Sequence, residues 1–235
     1  LWDIDTLVTL NLMANQIDSL PPAVGHLVNL VTLNLASNRI PAIPVDIAAL
    51  QQLQELNVAF NLISEAPAAL GELVALGRLY LGYNQIATLP EMAQCEGLWE
   101  YFVTGNTAIT ALPASLWGLT RLSKIYASNL QLTEIPTAVG QLEDLEVLDV
   151  GFNQITTVPE ELGELTILRR INLTNNQVSA LPNLSRCYDL QNIDLSDNQF
   201  TEVPTEAFEM FLERSVELLF DGNPASSQCE GDIQK

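Results

Sequence analysis

The sequence predicts an α/β fold built as a solenoid of about ten stacked repeats. Three observations lead to this prediction: a period of about 23 residues, an asparagine at the same place in almost every period, and a proline segment that follows each period. A fixed period of this length is typical of proteins whose units stack side by side, because one unit cannot bury its apolar side alone.

Each repeat opens with a block that has leucine-like residues at positions 1, 4, 6 and 11. Successive blocks begin 22 to 25 residues apart. Alternation within the block predicts a short strand whose positions 4 and 6 face the core, while positions 3 and 5 face outward. The ten blocks begin at Leu7, Leu30, Leu53, Leu76, Leu98, Leu122, Leu145, Leu168, Leu190 and Ser215.

Position 9 is asparagine in nine of the ten blocks. A buried amide carries both donors and acceptors, so stacked asparagines can satisfy backbone groups of neighbouring turns. The exception is Leu130, which predicts a local irregularity in the sixth repeat. Each strand is followed by a pair such as Leu20-Pro21 or Leu89-Pro90, and the proline ends the strand and favours a turn.

These blocks, LxxLxLxxNxL followed by LPxxL(G)xLxx, resemble the leucine-rich repeat family over residues 1 to about 224. The 23-residue type is similar to the intracellular Ras-suppressor-like and Scribble-like repeats. The resemblance implies a curved, right-handed solenoid with a concave parallel β-sheet and convex turns or short helices. It also implies a non-enzymatic module that binds a protein partner on its concave face.

The predicted organisation is a single leucine-rich repeat domain over residues 1–224, which starts in mid-repeat. A capping helix is expected at about 205–214, where glutamates form one stripe and apolar residues another. Residues 225–235 are expected to form a polar tail. The mid-repeat start suggests a fragment or a processed form of a longer chain.

Composition excludes several classes of function. The chain of 235 residues has 9 Lys and Arg against 29 Asp and Glu, a net charge of −20, which disfavours binding to nucleic acid. No stretch of roughly 20 apolar residues is present, so membrane insertion is not expected. The three cysteines lie far apart in sequence, which favours an intracellular compartment, cytoplasmic or organellar, over secretion.

The residues needed for catalysis, metal binding or cofactor binding are not grouped in the sequence. The single histidine, His26, falls on a predicted return segment, and no glycine-rich phosphate loop is present. The acidic run around Glu160 lacks the spacing of a calcium loop. Cys95 and Cys187 occupy equivalent places and are expected to be small buried apolar residues. We therefore expect no enzyme activity and no cofactor.

Aromatic residues concentrate on the outward positions of the central repeats. They comprise the position 5 residues Tyr80, Phe102 and Tyr126, with Trp99, Tyr83, Phe60 and Phe152 beside them. Exposed aromatics among polar groups are typical of binding hot spots, so these residues are candidate protein-binding anchors. The alternative is that the rings only stabilise neighbouring strands by cross-strand packing.

Charges of alternating sign accompany the aromatics at position 3, at Glu55, Arg78, Glu100 and Lys124. Arg78 and Lys124 are candidate contacts for a partner of mixed charge, and the alternative is pairing across adjacent strands. Two rival functions remain open. One is a structural subunit of a large multiprotein assembly, with Trp2 and Trp117 as candidate convex contacts. The other is the recognition segment of a longer receptor, kinase or ubiquitin-ligase-type chain. A semi-buried packing role is an equally open interpretation of the two tryptophans.

Overall fold

A computed structural model describes residues 2–203, 211 and 213–226 of the chain. The chain divides into two compact units, residues 1–122 and residues 123–235, which we call the first and second units. Each unit consists of five stacked repeats, and every repeat contributes one three-residue strand. The single domain expected over residues 1–224 stays a prediction.

In the first unit, the strands form a parallel sheet in chain order. Equivalent positions of successive repeats face each other, as in Leu33 opposite Leu56. The middle residue of each strand is buried, and its two neighbours are exposed or half-buried. The predicted alternation is therefore confirmed. The strands are β1 (Thr9–Asn11), β2 (Thr32–Asn34), β3 (Glu55–Asn57), β4 (Arg78–Tyr80) and β5 (Glu100–Phe102).

The second unit repeats this arrangement with five further parallel strands. Leu148 lies opposite Ile171 and Ile171 lies opposite Ile193, so the same register is kept from repeat to repeat. We use the term sheet face for the side of each sheet that carries positions 3 and 5. The strands are β6 (Lys124–Tyr126), β7 (Val147–Asp149), β8 (Arg170–Asn172), β9 (Asn192–Asp194) and β10 (Glu217–Leu219).

Short 3₁₀ helices form most of the return segments. A proline precedes each helix with φ between −58° and −76°, and its carbonyl accepts the first i→i+3 bond, as from Val24 N–H to Pro21 O at 3.0 Å. The predicted turn role of the prolines is thus confirmed. The helices are Pro22–His26, Val45–Ala49, Ala68–Glu72 and Ala114–Gly118 in the first unit, and Thr137–Gln141 and Glu160–Glu164 in the second.

The 22-residue repeats that hold the cysteines have a different return segment. Between β4 and β5, and again between β8 and β9, the described residues form no 3₁₀ helix. The buried thiol of Cys95 lies 3.6 Å from Leu70 O, and that of Cys187 lies 3.7 Å from Leu162 O. Both thiols are free and buried, as predicted. The small sulfur side chain fits where a shortened chain passes close to the preceding repeat.

The asparagines at position 9 bond as the sequence predicts. The amide of Asn61 donates to Val58 O and Leu35 O, both at 3.0 Å, and its Oδ1 accepts the Ile40 N–H at 2.9 Å. Asn84, Asn153 and Asn176 make the same set of bonds. At the exception, Leu130 is buried, and β6 forms as in the other repeats. The expected irregularity therefore does not reach the strand.

The structure decides between the two interpretations of Trp117 in the return segments, exposed contact and packing, in favour of packing. Trp117, considered as an exposed convex contact, is only 7% exposed. It lies in the 3₁₀ helix Ala114–Gly118 on the side that packs inward, next to buried Leu116. Most of the capping helix expected at 205–214 and of the tail expected at 225–235 lies outside the described residues, namely at 204–210, 212 and 227–235.

Candidate protein-binding surface

Two predicted anchors occupy the last position of adjacent strands in the first unit. Tyr80 closes β4 and Phe102 closes β5, and the parallel register places them opposite each other. Both side chains are half-buried. Their ring centroids lie 6.2 Å apart with 50° between the planes, which is a favourable tilted arrangement. The sheet therefore presents these rings side by side on its open face.

Two more rings stack just beyond the ends of β3 and β4. Phe60 and Tyr83 lie parallel, with centroids 4.4 Å apart and 11° between their planes. Tyr83 also approaches Phe102, with centroids 6.2 Å apart. Phe60 is 52% exposed and Tyr83 is 44% exposed. The four residues Phe60, Tyr80, Tyr83 and Phe102 thus form one connected group, which we call the aromatic cluster.

The aromatic cluster rests on glycines of the neighbouring repeats. A Cβ built on Gly82 would overlap Cε1 of Phe102, and one built on Gly105 would lie 2.7 Å from Cδ1 of Tyr83. Trp99 lies in the same way over Gly77, where a Cβ would be 3.1 Å from Nε1. Any larger residue at these glycines would displace a ring. Sequence reasoning missed this relationship, although a glycine beside an aromatic position in the adjoining repeat was the available signal.

The backbone at Phe60 and Tyr83 has an unusual conformation for large side chains. Their φ angles are 56° and 54°, in the left-handed region, which costs a bulky residue about 1–2 kcal/mol. Equivalent positions in other repeats hold residues that tolerate this region well, such as Gly105, Asn129 and Asn175. The two aromatics are therefore kept at a cost in backbone free energy.

The charged residues beside the aromatic cluster are largely paired within the sheet face. Arg78 forms an ion pair with Glu55 at 2.6 Å, and its guanidinium carbon lies 5.5 Å from the ring centroid of Trp99. The hydroxyl of Tyr80 donates to Glu100 at 3.0 Å. Burial, reinforced by this bond to a carboxylate, raises the pKa of Tyr80 well above its ordinary value. The interpretation that these charges pair across strands is confirmed for Arg78.

The remaining three predicted residues belong to the second unit. Lys124 and Tyr126 are the first and last residues of β6, and both are half-buried. Phe152 follows β7, is 54% exposed and has a φ of 54°. It therefore shares the strained conformation of Phe60 and Tyr83. The structure brings together six of the nine predicted residues, Phe60, Arg78, Tyr80, Tyr83, Trp99 and Phe102, in the first unit.

The arrangement of titratable side chains bears on metal binding and proton transfer. Over residues 2–203, 211 and 213–226, no three side chains of His, Cys, Asp or Glu are placed to hold a metal ion. His26 lies at the surface, with Nδ1 3.6 Å from a carboxylate oxygen of Asp3. Burial raises the pKa of the Cys95 and Cys187 thiols to about 11, which keeps them protonated at neutral pH. In the same part of the chain, no helix is long and apolar enough to cross a bilayer.

Sequence profiles and solved structures agree on the family. A leucine-rich repeat profile matches residues 5–63 and 29–86, and a second one matches residues 189–211. No curated protein matches the chain. A leucine-rich repeat protein of Leptospira interrogans is 26% identical with a TM-score of 0.72, and the alignment covers 98% of this chain and 70% of that one.

Two plant receptor structures are also similar to this chain. The Arabidopsis receptor kinase HAESA, in complex with the peptide hormone IDA and the co-receptor SERK1, is 25% identical with a TM-score of 0.76. The plant peptide hormone receptor RGFR1, in complex with RGF2, is 25% identical with a TM-score of 0.71. Each alignment covers 94% of this chain, which spans 43% and 41% of the receptor chains. The repeat pattern, the stacked parallel strands and these likenesses identify the chain as a leucine-rich repeat protein.

Proposed function

We propose that this chain is a non-enzymatic module that binds a protein partner through the sheet face of the first unit, with the aromatic cluster as anchor. The leucine-rich repeat fold is a protein-interaction fold, and two of the similar structures contain bound peptide hormones. Fold alone does not determine function, so the proposal depends on the surface. Trp99 and Arg78 flank the cluster in the first unit. In the second unit, Tyr126, Phe152 and Lys124 stay a separate set of candidate contacts.

The observation that carries the proposal is the exposure of Phe60 and Tyr83 at strained backbone positions. Folding does not require an aromatic there, because other repeats use glycine, asparagine or aspartate at the same place. Strained residues that persist in a structure are frequently functional. Exposed rings that are already stacked lose little conformational entropy when a partner covers them, so they suit a binding hot spot.

Cross-strand packing is the competing explanation for the rings. It accounts well for Tyr80 and Phe102, which are half-buried on neighbouring strands. It accounts poorly for Phe60 and Tyr83, whose stacking contributes about 0.5–1.5 kcal/mol. Left-handed backbone at two bulky residues costs at least as much. The ring–ring contact by itself therefore gives no net reason to keep both aromatics.

A second candidate function is the recognition segment of a longer receptor-like chain. The likeness to two plant receptor structures favours it. The third candidate, a subunit held in a large assembly through convex tryptophans, loses its main support because Trp117 is buried. The first two candidates share the proposed binding face.

Affinity capture with three folded proteins tests the proposal. The wild-type chain is compared with a Phe60→Asn/Tyr83→Asn variant, in which asparagine suits the left-handed backbone. The matched control is Val45→Ser/Val74→Ser, which removes exposed apolar side chains from return segments of the same unit. We expect the control to retain the same proteins as wild type and the ring variant to lose them. Equal recovery by all three proteins would reject the aromatic cluster as the anchor.

A further inference from the structure

We propose that the partner segment is an extended, cationic peptide whose Arg or Lys side chain stacks on the uncovered face of Phe60. This inference rests on the proposed function, and it specifies the chemistry of the occupant. It follows from three features of the first unit: which ring faces are covered, which charges surround them, and which hydrogen-bond donors remain for a ligand.

Phe60 is the more exposed residue of the stacked pair, at 52% against 44% for Tyr83. Tyr83 has Phe60 on one side and Gly105 close to its ring. For Phe60, Tyr83 covers one face, and within the described residues no ring or cation covers the other. The open face of an aromatic ring carries negative electrostatic potential, so it attracts a guanidinium or ammonium group. The ring of Phe60 is therefore placed to form a cation–π contact with a ligand.

The charge of the surrounding protein also favours a cationic occupant. The whole chain carries a net charge of −20, and residues 1–122 hold ten Asp and Glu against three Arg. On the strands of the first unit the one basic residue is Arg78, which lies between Glu55 and Glu100 and is paired with Glu55. Arg39 lies beyond the end of β2, off the strand. An acidic segment would meet net repulsion, whereas a basic segment would be attracted over several ångströms.

Two arginine side chains of the described residues form cation–π contacts with aromatic rings of the chain. Arg78 lies over Trp99 at 5.5 Å, and in the second unit Arg214 lies over Tyr188 at 5.7 Å. Phe60 is exposed like Tyr188. It holds the same position as Tyr83 in the preceding repeat. A ligand cation at Phe60 would reproduce an arrangement that this sequence already forms at two other rings.

The asparagines of position 5 favour an extended segment over a compact one. Asn11, Asn34 and Asn57 lie on successive strands, and each Oδ1 accepts the backbone N–H two residues later at 3.0 to 3.1 Å. The amide hydrogens of Asn57 have no acceptor among the described residues. The Asn34 amide has only a long contact, 4.0 Å to Met13 Sδ, so it can exchange this weak acceptor for a better one. Amide donors spaced one strand apart, about 4.8 Å, can bond main-chain carbonyls of an extended peptide that crosses the strands.

Selection from a displayed library of random twelve-residue peptides tests this inference. The library is selected in parallel on the full wild-type chain, on Phe60→Asn/Tyr83→Asn, and on the Val45→Ser/Val74→Ser control. We expect Arg and Lys to be enriched over Asp and Glu by at least about threefold on wild type and control. The ring variant should enrich Arg and Lys less than the control does, because the ring that stacks on the cation is absent while the surrounding negative charge remains.

Affinity measurements on a synthetic peptide from the selected pool then distinguish the effect of the positive charge from that of side-chain shape. Replacing each arginine by citrulline keeps the planar group and removes the charge. One exposed cation–π contact is equivalent to roughly a two- to fivefold change in affinity, so we expect at least that loss, together with weaker binding at 0.5 M than at 0.05 M NaCl. Equal affinity of the citrulline peptide, or enrichment of basic peptides by the ring variant to the same extent as by the control, would overturn the inference.

The outcomes also separate this inference from the proposed function. Ring-dependent selection of neutral, apolar or acidic peptides would overturn the cationic occupant and leave the proposed binding face in place. Failure to select any peptide that depends on Phe60 and Tyr83, together with equal protein capture by the ring variant, would overturn both.

Discussion

The ring of Phe60 stacks on the ring of Tyr83 at 4.4 Å, although both residues have left-handed backbone. The contact joins equivalent positions of adjacent repeats, so the parallel register of β3 and β4 brings the rings together. A favourable side-chain contact and an unfavourable backbone conformation thus occur in the same two residues. The two contributions to the free energy of unfolding can be measured with asparagine variants. Asparagine removes the ring contact, and it tolerates the left-handed backbone.

Replacing Phe60 or Tyr83 singly by asparagine should change the free energy of unfolding by no more than about 1 kcal/mol. Loss of the ring contact costs about 0.5–1.5 kcal/mol, and relief of left-handed strain returns a similar amount. Alanine also loses the ring but tolerates this backbone less well, so Phe60→Ala should be less stable than Phe60→Asn. Urea denaturation provides the measurement. Equal stability of the alanine and asparagine variants would show that backbone strain is not significant there.

A second prediction concerns the asparagine ladder. Asn61→Leu should lower the free energy of unfolding by about 2–4 kcal/mol, because it leaves the buried Ile40 N–H without its acceptor and removes one of the two amide donors to each of the carbonyls of Val58 and Leu35. The matched control is Asn57→Leu in the same repeat. It removes one bond, from the Ala59 N–H, at a half-buried position and should cost about 0.5–1.5 kcal/mol.

Denaturation of the two leucine variants under identical conditions decides this prediction. If both lose the same free energy, the buried amide has no special role, and the asparagine pattern reflects only a turn preference.

The sequence predicts those features that the period alone determines. The inward placement of Leu33 and Leu56 and the bonds of Asn61 follow from the repeat, because equivalent residues of identical units lie side by side. The pairing of Arg78 with Glu55 also follows, since position 3 of one strand faces position 3 of the next.

Features that depend on three-dimensional fit were not predictable in this way. The ring of Phe102 lies over Gly82 because of its rotamer, which no periodicity specifies. Trp117 is buried because its 3₁₀ helix turns the indole inward, whereas its alignment with glycines of other repeats leaves exposure and packing equally open. The left-handed backbone at Phe60 had a sequence signal that went unused, namely glycine or asparagine at the same position elsewhere.

A third prediction compares two glycines of the return segments. A Cβ at Gly71 would overlap the carbonyl oxygen of Glu91, where the shortened fourth repeat passes close by, whereas one at Gly118 would meet nothing within 4 Å. Gly71→Ala should therefore destabilise the protein by about 1–3 kcal/mol. Gly118→Ala should leave stability unchanged or raise it slightly, because alanine restricts the unfolded chain.

Thermal and urea unfolding of both alanine variants provides the test. A Gly71→Ala protein as stable as Gly118→Ala would mean that the shortened return segment can move away from Gly71 at no cost.

The last prediction concerns alkaline pH and the two buried thiols. Burial raises the pKa of Cys95 and Cys187 from 9.0 to about 11, so between these pH values the unfolded chain releases protons that the native chain retains. Ionisation then favours the unfolded state, and the free energy of unfolding should fall from pH 9 to 11. In a Cys95→Ala/Cys187→Ala variant, the fall should be smaller and should begin nearer pH 10, where tyrosines of the unfolded chain ionise. Urea unfolding at pH 7 to 11 measures both profiles, and parallel profiles for the two proteins would exclude this role for the thiols.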